Sequence, residues 1–271
     1  MIGVNPVWGY LARKIGRKWG RSMKEQIETV PVNEAFRSED ECPFCYLQRQ
    51  AEQRAIRYTV GPGASYMEPL IRGRTDSRGF CGTHMKKLYD YGNSLGNALI
   101  LQTYYVGMIK ELDQQIEEFN MPAKKSLLKK APAEESPMLQ WVNEKQSTCF
   151  LCESVEESMR RYYATFFFLL KEPEFRELVE NGKGFCMCHF GRLLEEAKTG
   201  LPNAHREWFY NTLLPLMRNN LARVQGDLDW FVQKFDYRNA GADWKNSRDA
   251  VSRGMQKLRG FYPADPPYKE K

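Results

Sequence analysis

The chain writes nearly the same six residues twice, Gly79-Phe-Cys-Gly-Thr-His84 and Gly184-Phe-Cys-Met-Cys-His189, each placing a Cys three residues before a His. Upstream of each stands a Cys pair with a two-residue gap, Cys42-Pro-Phe-Cys45 and Cys149-Phe-Leu-Cys152. A gap of two lets both side chains of a pair reach one ion from a single turn, and two such pairs complete the tetrahedron of structural zinc. Taken in chain order, the spacing predicts one set of Cys42, Cys45, Cys81 and His84, and a second of Cys149, Cys152, Cys186 and His189. The sets use six of the seven cysteines and two of the three histidines. Three thiolates and a neutral imidazole around Zn²⁺ leave a formal charge of −1, which N–H groups at a helix N-terminus can offset. A four-ligand site has no position for substrate or water, so it braces a fold and argues against a metallohydrolase.

Buried core cysteines, disulfides and an iron–sulfur cluster are the competing readings of these residues. The Cys₃His composition favours zinc, because clusters usually take four cysteines. Cys188 is left over, either a spare ligand, a redox-sensitive thiol or a small residue packed near the site; the first copy has Thr83 there, and the packing role is the plainer one. His205 reads as a surface or core histidine. Asp227, Asp229, Glu195 and Glu196 read as solvated helix faces. No nucleophile elbow, phosphate loop or dinucleotide fingerprint is present.

The elements that must position the ligands repeat as well. Cys42 to Cys149 and Cys45 to Cys152 are both 107 residues, and Cys81 to Cys186 and His84 to His189 are both 105. Glu68-Pro69 matches Glu172-Pro173, and Leu95-Gly-Asn-Ala98 matches Leu201-Pro-Asn-Ala204. An internal duplication accounts for this register. Helices are expected after Cys45, over 85–92 with a stop at Gly92, over 95–119, from Ser136-Pro137 onward, over 153–171, from Pro173 to a stop at Gly182, over 187–198 ending at Gly200, over 204–238 with a kink at Pro215, and over 246–260. In the 95–119 segment Leu95, Ala98, Tyr105, Met108, Leu112, Ile116 and Phe119 recur at helical spacing, as if to pack the copies together. Trp230, Phe231, Phe235, Tyr237 and Trp244 are expected to pack the C-terminal helix onto the body. Nothing alternates with period two, so the fold class is all-α, an internally duplicated helical domain with each copy clamped by one Cys₃His site. The organisation reads as a basic extension over 1–22, a first repeat over 23–119, a linker over 120–137, a second repeat over 138–238, and a C-terminal helix with a Pro-rich tail over 239–271.

Composition bounds the partners. At 271 residues with 42% apolar and 13% aromatic content the chain can bury a real core. The net charge of +6 resides entirely in residues 1–24, which hold six cations and no acid, so the body has no global basic field. Within 7–21, Trp8, Leu11, Ile15 and Trp19 recur at helical spacing among cations, a pattern suited to nucleic acid or a membrane surface. Met23 as a natural start, with 1–22 an upstream extension, is the competing reading. The longest strongly apolar run, 166–170, is far shorter than the ~20 residues of a spanning helix, and with no secretory signal the expected compartment is the cytoplasm.

The stretches 41–45, 66–84, 92–101 and 234–251 resemble a family of bacterial proteins of unknown function, from about Met23 to about Gly260. The resemblance maps that family's Cys-x-x-Cys and Gly-Phe-Cys-x-x-His motifs onto the eight ligand candidates and implies no particular activity. The leading expectation is therefore a non-enzymatic protein with two structural zinc ions per chain, an adaptor or regulator that binds another macromolecule, a protein first of all. The alternatives are a thiol or iron–sulfur redox protein and a nucleic-acid or membrane-surface binder acting through residues 7–21.

Overall fold

Proline, glycine and short polar side chains set the limits of most helices in this chain. A computed structural model describes residues 28–63, 65–120 and 136–260. The 1–22 extension, most of the 120–137 linker and the tail beyond 260 lie outside the described residues. Among the described residues there are eleven α-helices and no strand: α1 (Thr29–Arg37), α2 (Pro43–Val60), α3 (Pro69–Arg78), α4 (Gly82–Tyr91), α5 (Ser94–Glu117), α6 (Pro137–Ser147), α7 (Phe150–Leu169), α8 (Pro173–Glu180), α9 (Met187–Gly200), α10 (Arg206–Gln233) and α11 (Ala250–Arg259). The all-α expectation holds. The order of α1–α5 repeats in α6–α10: a short helix, a helix opened by the Cys pair, a helix opened by Glu-Pro, a helix opened by the Cys–His pair, and a long helix.

The repeated landmarks have repeated local causes. Pro69 and Pro173 each take a first helical position, where a missing N–H costs nothing. Ser136 accepts a hydrogen bond from the Leu139 N–H at 3.3 Å and starts α6. Asn93 accepts from the Gly96 N–H at 2.9 Å to start α5, and its amide donates to the Val60 carbonyl at 2.7 Å. Gly79 and Gly184, which open the two Gly-Phe-Cys turns, both have positive φ, 58° and 70°. Only glycine adopts that backbone without strain. Gly92 ends α4 in the left-handed region as expected. Gly182 instead follows Asn181, the cap of α8, and Gly200 is the last residue of α9 with no left-handed stop. Its smallness serves packing: a Cβ there would come within 3.0 Å of the Phe167 ring. The final helix begins at Ala250, later than expected, and α10 runs through Pro215.

The chain divides into two compact units that do not follow the two repeats. The described residues of one unit fall within 53–154, and those of the other comprise 28–52 and 155–260. Both Cys-pair helices are cut by the division, α2 after Glu52 and α7 after Ser154. Each repeat thus gives the start of its Cys-pair helix to one unit and the rest of that helix to the other.

The unit containing 28–52 and 155–260 has an aromatic core. Phe36 stacks on Phe166 with centroids 5.5 Å apart, Phe44 stacks on Tyr163 at 4.4 Å, and Phe175, Phe185 and Phe209 complete the cluster by tilted and edge contacts. Helix α10 presents Phe209, Leu213, Leu216, Met217 and Val224 inward. The 53–154 unit has a smaller, mainly aliphatic core of Ile56, Val60, Ile71, Leu88 and Ile100, closed by Tyr91, Phe150 and Leu151. In α5 the buried residues are Gly96 and Ile100. The stripe from Leu95 through Tyr105, Leu112, Ile116 and Phe119 is exposed, contrary to its expected packing role. The C-terminal aromatics are corrected too. Phe231 contacts Phe235 and Trp244, but Phe235 and Tyr237 are largely exposed. Helix α11 comes close to α10 at Gly254, where a Cβ would lie 3.3 Å from Leu228 and 3.8 Å from Val224.

Candidate metal centres

Each Cys-pair turn ends where a helix begins, and so does each Cys–His turn. Cys42 precedes the first residue of α2 and Cys149 that of α7, so Cys45 and Cys152 fall in the first turn. Cys81 and Cys186 are the N-caps of α4 and α9, placing His84 and His189 one turn in. The backbone N–H groups there point at sulfur: His189 N–H donates to Cys186 Sγ and Cys152 N–H to Cys149 Sγ, both at 3.4 Å. Peptide dipoles at a helix start favour a thiolate.

All eight predicted residues gather into two groups of four, but the grouping is crossed. Cys42 and Cys45 meet Cys186 and His189; Cys149 and Cys152 meet Cys81 and His84. The expectation that each repeat closes its own site is corrected: the Cys pair of one repeat faces the Cys–His pair of the other. The helices between the pairs are unequal: α2 has 18 residues and α3 has 10, and α7 and α8 have 20 and 8, rises of about 27 against about 15 Å and about 30 against about 12 Å. Two helices so unequal do not cancel each other's rise, so the chain is not bound to return to the Cys pair it left. Each group still lies within a single unit. The residue after the first Cys follows the same exchange, Phe150 packing edge-on against Phe80, and Phe44 against Phe185 one position further on.

The donor atoms fit a small tetrahedral ion. In the Cys42/Cys45/Cys186/His189 group the three Sγ atoms lie 3.4, 3.4 and 3.2 Å from His189 Nδ1, and Cys45 Sγ lies 3.6 Å from Cys186 Sγ. In the Cys81/His84/Cys149/Cys152 group all three Sγ atoms lie 3.3 Å from His84 Nδ1, with Cys81 and Cys152 sulfurs 3.8 Å apart. Tetrahedral zinc with ordinary bond lengths needs edges of about 3.8 Å between sulfurs and about 3.6 Å between sulfur and nitrogen. The electrostatics agree. Cys42 is held well below the usual thiol range: burial opposes ionisation, and hydrogen bonds from Cys186 and Cys45 with the His189 charge overcome it. Cys45 is pushed up by Cys186 and Cys42, and Cys186 chiefly by Cys42. In the other group, hydrogen bonds from Cys149, Cys152 and His84 depress Cys81, while Cys149 and Cys81 raise Cys152. One thiolate forms at its neighbours' expense, because three negative sulfurs this close need a cation among them. None of the seven cysteines is in a disulfide.

Surroundings differ. Cys42, Cys45, Cys186 and His189 are all buried, whereas Cys81 is half-buried and Cys152 exposed. Helix α11 covers the buried group. Its cap Gly260 has φ 73°, and its carbonyl oxygen lies 3.3 Å from Cys45 Sγ. A Cβ at that position would come 3.2 Å from Cys186 Sγ. Beside the group stands an ion cluster that periodicity could not foretell. Glu41, 2% exposed, meets Arg223 at 2.5 Å, Lys257 at 3.2 Å and Arg253 at 3.3 Å. Burial opposes ionisation of its carboxyl, and Arg223 and Lys257 overcome that and hold it below the usual range. Lys257 also donates to the Glu41 carbonyl at 2.5 Å and to the Lys183 carbonyl. Asp227 belongs to this cluster through Arg253 at 2.9 Å, and Glu196 pairs with Arg192 at 2.8 Å, so neither is simply a solvated face. In the other unit the Cys149–Cys152 turn is tied by a backbone bond, Phe150 N–H to Gly79 carbonyl at 3.0 Å. Pro43 occupies the corresponding position in the first repeat and has no N–H; Lys257 makes the tie there.

Cys188 stands outside both groups, exposed, its thiol 3.4 Å from the Arg259 carbonyl. His205 accepts from Arg176 at 3.1 Å and lies away from both groups. No described helix is long and apolar enough to cross a membrane.

Comparison with known proteins adds a lineage. A protein of Caldicellulosiruptor sp. (strain Rt8B.4), described as an uncharacterized 23.9 kDa protein in the xynA 3'region, is 24% identical over 204 residues, covering 74% of this chain and 85% of that relative. No solved structure matches the chain. Residues 23–265 match a family described as a family of unknown function (DUF6062), and the chain belongs to that family.

Proposed function

We propose that this chain is a non-enzymatic zinc protein, its two crossed Cys₃His groups each holding one structural zinc, and that it acts as an adaptor or regulator for another macromolecule. The observation that carries the zinc reading is the donor set: three sulfurs and one imidazole nitrogen within about 0.4 Å of the edge lengths of a zinc tetrahedron, twice. Four protein donors close the coordination shell, so the ion supplies bracing and no open position for substrate. Helices as short as α4, with 10 residues, gain from such bracing what a small core cannot provide. The eight residues Cys42, Cys45, Cys81, His84, Cys149, Cys152, Cys186 and His189 are the proposed ligands. The adaptor role rests on a site that binds nothing but its ion, and a protein partner is favoured over nucleic acid because residues 25–271 carry no net charge.

Elemental analysis of anaerobically purified full-length protein, with an absorption spectrum of the same sample, tests this. Two zinc per chain and no visible colour are expected. Iron with a broad band near about 400 nm, the thiolate-to-iron charge transfer of a cluster, would replace this reading with the redox one.

A further inference from the structure

Helix α5 carries two faces with different tasks. Gly96 and Ile100 turn into the core of the 53–154 unit, and Glu111 anchors α6 by accepting from Trp141 Nε1 and Lys145 Nζ, each at 2.8 Å. On the opposite side runs a heptad pattern: Leu95, Gln102, Ile109 and Ile116 at one position, Ala98, Tyr105, Leu112 and Phe119 at the other. This alternating three–four spacing is that of a helix seam, with a single polar residue in eight positions. All eight are exposed. Leu95, Tyr105, Ile109, Leu112, Ile116 and Phe119, with neighbouring Val106, leave between 38% and 68% of their surface open.

We propose that this face is a dimer interface, formed by α5 of a second copy of the chain packing antiparallel on it. Three observations select that occupant. First, the size fits: those seven side chains expose roughly 800 Å², near the ~800 Å² per partner of a standard interface and above the largest apolar patch of a typical monomer. Second, the pattern is self-complementary about Gly107. An antiparallel pair centred there sets Leu95 against Phe119, Ala98 against Ile116, Gln102 against Leu112 and Tyr105 against Ile109, each first-position residue meeting a second-position one. A two-fold axis needs that reciprocity. Third, charge fixes the direction. Residues 94–109 hold no charged side chain, while 110–118 hold Lys110, Glu111, Asp113, Glu117 and Glu118. A parallel pair would bring the acidic ends together; the antiparallel pair lays each against the partner's neutral half. The proposal is independent of what the metal centres bind.

The test is sedimentation equilibrium of the full-length, metal-replete protein across a dilution series. A reversible dimer is expected. Ile109→Glu should weaken it by about 100-fold or more, as charge at the centre of a buried seam does, with circular dichroism and metal content unchanged. Val106→Glu serves where Ile109→Glu fails to fold. Val30→Glu, an exposed apolar site on the other unit, should leave the dimer intact. Leu95→Lys should retain more association than Leu95→Glu, because the partner's Glu117 and Glu118 lie opposite. A monomer at all concentrations, including one whose α5 face is covered by residues 121–135, overturns the proposal. So does a dimer indifferent to both Ile109→Glu and Val106→Glu. Equal losses in the two Leu95 variants overturn the antiparallel arrangement.

Discussion

The group at Cys42, Cys45, Cys186 and His189 and the group at Cys81, His84, Cys149 and Cys152 share one donor set, one Gly-Phe-Cys turn with positive φ and one helix-start geometry. They differ in enclosure. The first is wholly buried, with Phe44 packed against His189, covered by α11 and flanked by the Glu41 cluster. The second leaves Cys152 exposed and Cys81 half-buried. The comparison separates two demands that one motif meets. Donor chemistry sets whether an ion is held, while the packing around the donors sets how easily it leaves and how much fold leaves with it. The extra element is α11, which lies after the second repeat and has no counterpart after the first among the described residues.

The largest expected difference follows from removing a ligand. Cys186→Ala and Cys81→Ala should each lose about one metal equivalent, and structural zinc is worth ~10 kcal/mol of apparent folding energy. Cys186→Ala should produce the greater drop in melting temperature, since it also loosens α11 from the site. Equal melting curves would dissolve the contrast drawn here. Core truncation comes next. Phe44 is fully buried and Phe80 only partly, so Phe44→Ala should cost about 3–5 kcal/mol in denaturant unfolding and Phe80→Ala clearly less.

Access to the two groups supplies a kinetic form of the same contrast. A chelator should strip the native protein in two phases of one equivalent each, the open group first and about tenfold faster or more, because local opening there needs less unfolding. Cys152→Ala should delete the fast phase alone; a single phase of two equivalents would contradict the difference in enclosure. The smallest effect is expected for Lys257→Met. Glu41 keeps Arg223 and Arg253, so the loss should be about 1–3 kcal/mol, the cost of unsatisfied buried carbonyls and a weakened ion cluster. It should accelerate only the slow chelation phase.

Much of this was legible in the residues themselves. The eight donors stand out because rare residue types recur at a two-residue gap and at one period, and helix limits are readable from Ser136-Pro137 and Pro173 as starts and Gly92 as a stop, where the local backbone decides. The crossed grouping is not legible there, because a gap of 35 or 33 residues constrains nothing until helix lengths are known, and neither α2 nor α7 is matched in length by the helix that follows it. The exposed face of α5 escapes the sequence pattern for a related reason. Periodicity places Leu95, Tyr105, Leu112 and Ile116 together on one side but does not tell a face that meets its own core from one that meets something else. Glu41 and Lys257 had no sequence signal at all, being 216 residues apart and joined only by the docking of α11.

The crossed grouping is the central claim, and paired substitutions test it most directly by metal content. Cys42→Ala with Cys186→Ala breaks a single group if the repeats exchange their ligands, so the double variant should retain one metal per chain, whereas Cys42→Ala with Cys81→Ala should retain none. The reverse outcome, no metal in the first pair and one in the second, would mean that each repeat closes its own site and would contradict the account.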